Sequence, residues 1–140
     1  METWTIYAIL SMLFAGLTAV LAKYGLQNIN PDLGLGIRTS VIFIVIVMIN
    51  LIGDRLKDFS QITSKQLIFL IASGLTTTFS WLFYYRAIKD GPVSYVAAID
   101  KGSVVITLTL SFILLKEPVS PKVIIGAALI LAGMFVLIWK

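Results

Sequence analysis

Five stretches of about 20 predominantly apolar residues, each long enough to cross the hydrocarbon core of a bilayer as a helix, follow one another along the chain. They run from Trp4 to Ala22, Pro31 to Leu51, Lys65 to Ala87, Val93 to Leu115 and Pro121 to Trp139. A water-soluble domain of 140 residues has no use for so much apolar surface: 59% of the residues are apolar and only 13% charged. The pattern predicts an all-α integral membrane protein, a single domain over residues 1–140 with five transmembrane helices. The flank of the first run, Glu2 and Thr3, carries no Lys or Arg, and the apolar core has no clear cleavage pattern, so this run is expected to be a retained helix.

Local signals place the ends of the helices. Asn30 before Pro31, and Ser120 before Pro121, each read as an N-cap followed by a proline in the first helical position. Thr63 with Gln66 three residues on forms a capping-box pattern, and "DGP" at Asp90 to Pro92 separates the third helix from the fourth. Only Gly53 to Gln66 is polar for long enough to be a surface connection, with an interfacial turn expected around Phe59. Trp4 and Tyr7 at one end and Trp139 at the other suit the aromatic belts of the two interfaces.

Five crossings put the two termini on opposite sides. The net charge of +4 is scattered over short loops, which fits a bilayer partner and no nucleic acid. Arg55, Lys57, Lys65, Lys116 and Lys122 lie on one side; Lys23, Arg86, Lys89 and Lys140 lie on the other, with Arg38 and Lys101 in its half of the bilayer. So even a distribution selects no orientation. It fits dual insertion, in which the chain pairs with its own inverted copy, as well as a single fixed orientation.

With no Cys and no His, disulfides, thiol chemistry and the common neutral-pH proton switch are excluded. No nucleophile and base stand at useful spacing, so no enzyme activity, metal or cofactor is expected. Chemistry inside the membrane falls to a few polar residues. Asp100, eight residues beyond Pro92, lies roughly 12 Å along the fourth helix, where a carboxylate is costly and usually marks a substrate or ion path. Asp100, Ser103, Thr107 and Ser111 recur at spacings of 3, 4 and 4 and share one helical face.

Ser73, Thr77, Ser80 and Tyr84, with Trp81 beside them, make a second such face on the third helix, and Ser11, Ala15, Thr18 and Ala22 a weaker one on the first. Three faces suffice to line a narrow cavity, although any single hydroxyl can instead bond its own helix. Neighbours on a helix point about 100° apart, so Asp100 is expected to pair across helices with Lys23 or Arg38 while Lys101 points elsewhere. Such a pairing serves either a substrate path or a structural pin. On the fifth helix, Gly126, Ala128, Ala132 and Gly133 suggest close packing within the subunit or against a partner.

The run "SGLTTTFSWLFYYRAIKDGPVSYVAAIDKGSVV", followed by "LLKEP" and "IGAALILAG", resembles the EamA-like repeat of the drug/metabolite transporter superfamily. "AKYGLQNINPDLGLGIRT" together with "SWLFYYRAI" and "DKGS" is similar to its short five-helix members, the bacterial/archaeal transporter family. The resemblance covers essentially the whole chain. It implies one half of an inverted-repeat fold that moves small molecules by alternating access, so a partner chain must complete the cavity. Lys23 and Arg38 match the family's basic pair, and Asp100, Lys101 and Ser103 its fourth-helix motif; Gly102 departs from the larger residue expected there and loosens the helix.

The expected function is a secondary transporter, an exporter of small organic metabolites or drugs in the inner membrane, working as an antiparallel homodimer, with the proton as the candidate coupling ion. Asp100 is then expected to bind a cationic group or the coupling proton. Arg38 and Lys23 set its charge state or meet an anionic group, and Trp81 with Tyr84 stacks on an apolar part. The rivals are a subunit paired with a homologous five-helix chain, and a non-transporting assembly partner.

Overall fold

The computed structural model describes residues 2–139; Lys140, counted above among the cations, lies outside them. Among the described residues there is no strand, and five helical spans are long and apolar enough to cross a membrane. The chain divides into two compact units, Met1–Asp90 and Gly91–Lys140.

The first unit holds α1 (Thr3–Gly25), α2 (Pro31–Ile52), a 3₁₀ helix (Arg55–Gln61) and α3 (Ser64–Asp90). Its boundaries are written locally. The Asn30 side chain accepts a hydrogen bond from the Asp32 N–H at 2.8 Å, with Pro31 in the first turn. Gln66 accepts from the Thr63 N–H at 2.9 Å, and Thr63 Oγ1 accepts from the Gln66 N–H at 3.4 Å, which closes the reciprocal capping box. Asn28 and Asp54 take the left-handed backbone region, φ 60° and 52°, that their short polar side chains tolerate best. The interfacial turn around Phe59 is the 3₁₀ helix, exposed throughout, with Lys57 paired to Asp54 at its start.

Buried apolar residues of this unit gather at the end where α1 stops and α2 starts: Ala19, Leu26, Leu35, Tyr85 and Ile88. Elsewhere each helix presents Leu, Ile, Val and Phe outward, and no more than 6% of any spanning window is buried. Surface of this kind is stable against lipid tails or a partner helix, not against water.

The second unit holds α4 (Val93–Asp100), α5 (Ser103–Leu110), a π-helical turn (Ser111–Leu115) and α6 (Pro121–Ile138). Where the spacing predicts one uninterrupted helix from Val93 to Leu115, the helix breaks at Lys101 and Gly102. The N–H groups of Lys101 and Gly102 bond the carbonyls three residues back, at 3.2 and 2.9 Å, and those of Val104 and Val105 do the same at 3.1 Å. This is a 3₁₀ tightening of the helix. Gly102 favours it by its low helix propensity and by its lack of a Cβ, which would stand 3.3 Å from Met134 Sδ on α6 and 3.0 Å from the Ile99 carbonyl oxygen.

Beyond α5 the wider turn closes with the Glu117 N–H on the Ser111 carbonyl at 3.3 Å, and Lys116 ends it in the left-handed region at φ 56°. The start of α6 differs from expectation in one respect. The Ser120 side chain makes no capping hydrogen bond; its backbone carbonyl receives the Val123 and Ile124 N–H groups instead, and Pro121 alone supplies the sequence signal.

Candidate functional site

α2 and α3 lie against each other and leave an open-sided groove of about 940 Å³ between them. Its α2 wall carries Gly36, Thr39, Ser40 and Phe43; its α3 wall carries Ser73, Gly74, Thr77, Thr78 and Trp81. Gly36 and Gly74 stand at open space in the groove, since a Cβ built on either would meet nothing within 4 Å. Four of the five hydroxyls are engaged on their own helix: Thr39 donates to the Leu35 carbonyl at 2.8 Å, Ser40 to Gly36 at 3.0 Å, Thr77 to Ser73 at 2.8 Å and Thr78 to Gly74 at 2.9 Å. A hydroxyl that has donated its proton still offers oxygen lone pairs. The groove therefore presents acceptors along an otherwise apolar seam.

Asp32 lies at one end of the groove and is held by Arg86 of α3 through two parallel bonds, Nε to Oδ1 at 3.0 Å and Nη2 to Oδ2 at 2.8 Å. This bidentate geometry ties the start of α2 to the last turns of α3. Two turns further along α2, Arg38 places its guanidinium carbon 4.0 Å from the centre of the Trp81 ring and 5.6 Å from that of Tyr85. Arg38 also lines a second cavity, about 360 Å³, walled by Thr18, Leu21, Ala22 and Gly25 of α1, by Ile37, and by Tyr85.

The predicted residues fare differently. Arg38 and Trp81 come together, and Thr77 and Ser73 line the groove, whereas Ser80 and Tyr84 of the same stripe do not. Lys23 is drawn to the end of α3, donating to the Ile88 and Lys89 carbonyls at 2.7 and 2.9 Å, while Lys89 donates to the Leu26 carbonyl at 2.6 Å. The two lysines thus satisfy helix C-terminal carbonyls reciprocally, the position where the helix dipole favours a cation. Lys101 Nζ lies 3.7 Å from Asp100 Oδ2, so these neighbours form the pair that the spacing argued against. The lysine stem is long enough to bend back across the tightened turn.

In the second unit Ser103 and Thr107 are exposed, but Ser111 is buried and donates to the Leu108 carbonyl at 3.1 Å. A Cβ on Gly126 or Gly133 would meet nothing, and Ala128 and Ala132 are exposed, so the small residues of α6 are not spent on packing within the second unit.

Sequence reasoning missed Asp32, Thr39, Ser40, Thr78 and Tyr85. A signal for the α2 wall was present, since Asp32, Gly36, Thr39 and Phe43 recur at the helical spacings of 4, 3 and 4.

Comparison with known proteins adds a family. The model of the EamA-like transporter family matches residues 2–139. A Sinorhizobium protein described as "Uncharacterized transporter in cobO 3'region" is 40% identical over 136 residues, which is 97% of this chain and 96% of the relative. An uncharacterized protein of Methanocaldococcus jannaschii is 28% identical over 137 residues, 98% of this chain and 97% of that one. No solved structure gives a significant match. These likenesses point to a transporter rather than an enzyme.

Proposed function

Because the chain belongs to the EamA-like transporter family, whose members are multi-pass proteins of the lipid bilayer handling small molecules, we propose that it is a secondary transporter of small organic molecules. It exports them across the inner membrane by alternating access, as an antiparallel homodimer coupled to protons. The observation that carries this reading is the α2–α3 groove. A membrane protein that used these helices only for packing would close the seam at Gly36 and Gly74; here the seam is open and lined with hydroxyl oxygens. The substrate that suits it bears hydrogen-bond donors on an apolar body and rests against Trp81.

Asp100 is the candidate for the coupling proton, with Lys101 beside it and Ser103 and Thr107 continuing along the helix beyond the turn. Dimerisation finds support in two facts. The curated relatives are as short as this chain, so a five-helix unit recurs without a fused second repeat, and the loop charges favour neither orientation. A homologous five-helix chain is the other partner that would complete the cavity.

The test uses proteoliposomes under an imposed pH gradient and a panel of labelled amines, amino acids, sugars and aromatic compounds. At least one class should accumulate against its gradient, and Asp100→Asn should abolish the pH-driven part while leaving exchange at equal pH. No uptake of any class, or pH-driven uptake that survives Asp100→Asn, contradicts the proposal. For the dimer, C-terminal reporters active on opposite sides of the membrane should both give signal; signal from one alone assigns a fixed orientation and a different partner.

A further inference from the structure

Within the first unit Arg38 is the one arginine of the described spans with neither an ion pair nor a hydrogen bond, and it lies about 10 Å along α2 from Pro31. Its counterpart near the membrane surface, Arg86, has a carboxylate; Arg38 has only the faces of Trp81 and Tyr85. Aromatic faces attract a guanidinium but accept none of its five N–H donors in a planar fork. Those donors are not sealed in protein, because among the described residues no fully buried side-chain nitrogen or oxygen lacks a partner. Arg38 is part of the wall of the cavity of about 360 Å³ between α1 and α2, which has no Asp or Glu in its lining.

The rest of that cavity is fitted to an apolar body. Leu21, Ala22, Leu26 and Ile37 wall it, and the hydroxyl of Thr18 is already donated to the Phe14 carbonyl at 2.7 Å. Tyr85, only 3% exposed, turns its ring to Arg38 at the same wall. A cation at this depth that is left without a counter-charge is costly, and a carboxylate or phosphate meets the guanidinium fork with two parallel bonds.

The geometry points to an anion site distinct from the transport groove: Arg38 receives the carboxylate or phosphate of an amphiphilic molecule whose apolar part fills the α1–α2 cavity. Two sources carry this chemistry, an anionic lipid of the surrounding bilayer and a soluble aromatic or short-chain carboxylate. The site does not depend on the transport reading, since its cavity shares no lining residue with the groove and its occupancy is read without transport.

Trp81, 4.0 Å from the guanidinium, supplies the signal. In a Trp4→Phe/Trp139→Phe background, Trp81 is the remaining tryptophan. The protein in phosphatidylcholine nanodiscs is titrated with 4-bromobenzoate or 4-bromobenzamide, and separately with chain-brominated phosphatidylglycerol or phosphatidylcholine, reading the quenching of Trp81.

At least one anionic probe should quench saturably where its neutral counterpart does not. Saturation by the benzoate identifies the soluble source, and by phosphatidylglycerol alone the lipid source. Arg38→Gln should weaken that dissociation constant tenfold or more. Gly25→Leu, which fills the cavity from a position where a Cβ meets nothing and leaves Arg38 in place, should weaken it as well. Equal quenching by charged and neutral probes, or an unchanged dissociation constant in either monodisperse variant, overturns the assignment.

Discussion

Filling the groove should separate stability from function. Gly36 and Gly74 lie in helix interiors, where glycine costs up to about 1 kcal/mol relative to a good helix former such as leucine. Neither position resists a side chain, since a Cβ there meets no atom within 4 Å. Gly36→Leu/Gly74→Leu should therefore gain stability, at most about 2 kcal/mol for the pair and less if the unfolded state keeps its helices in detergent. In a thermal unfolding scan a gain of that size reads as a rise of several degrees. Transport should fall at the same time, because two isobutyl groups now occupy the space between Thr39 and Thr77. A fall in melting temperature would refute the reasoning, because it would mean that these glycines let the helices pack tightly and that the groove closes in the membrane. A gain in stability with full transport would sever the groove from function.

Two further perturbations probe the frame around the site. Ile88→Ala deletes a side chain with 0% exposure at the packed end of the first unit and should cost about 2–5 kcal/mol; Phe83→Ala on the same helix, at 67% exposure, should cost far less, and denaturation in graded detergent compares them. Lys23→Met removes the donor from the Ile88 and Lys89 carbonyls, and charged hydrogen bonds of this kind contribute about 1.5–3 kcal/mol, so the variant should unfold earlier in the same assay. If Lys23→Met leaves stability untouched and abolishes transport, Lys23 serves the substrate path and not the helix ends.

What the sequence disclosed follows the range of the interactions. The caps at Asn30 and at Thr63 with Gln66 are three residues wide or less, so residue type and spacing were enough to find them. The all-α membrane class was equally legible, because the apolar length of a span needs no knowledge of its neighbours. Contacts between helices were another matter. Arg86 and Asp32 are 54 residues apart, and nothing local to either announces the other. Arg38 and Trp81 meet only because α2 and α3 adopt one register, which also brings Thr39 and Ser40 opposite Thr77 and Thr78.

The stripe through Asp100, Ser103, Thr107 and Ser111 assumed an even helical pitch, and the tightened turn at Gly102 and the wide turn at Ser111 break that assumption at both ends. The residue departing from the family pattern, Gly102, was the local sign of the first break. At Lys23 the sequence shows only a charge in a last helical turn, whereas the Ile88 and Lys89 carbonyls that it meets are 65 and 66 residues away.

The central claim is that the hydroxyl-lined seam between α2 and α3 meets water and not only its own helices. The chain has no cysteine, so single replacements report without background. Thr77→Cys and Thr39→Cys, in intact membrane vesicles, should react with a membrane-impermeant thiol reagent, and Phe83→Cys, on the other side of α3, should not. Reaction confined to the groove positions is the predicted result. Thr77→Cys and Thr39→Cys that stay unmodified by the impermeant reagent, yet react with a membrane-permeant one, would contradict the account and leave the hydroxyls as helix-bonded residues in a dry interface.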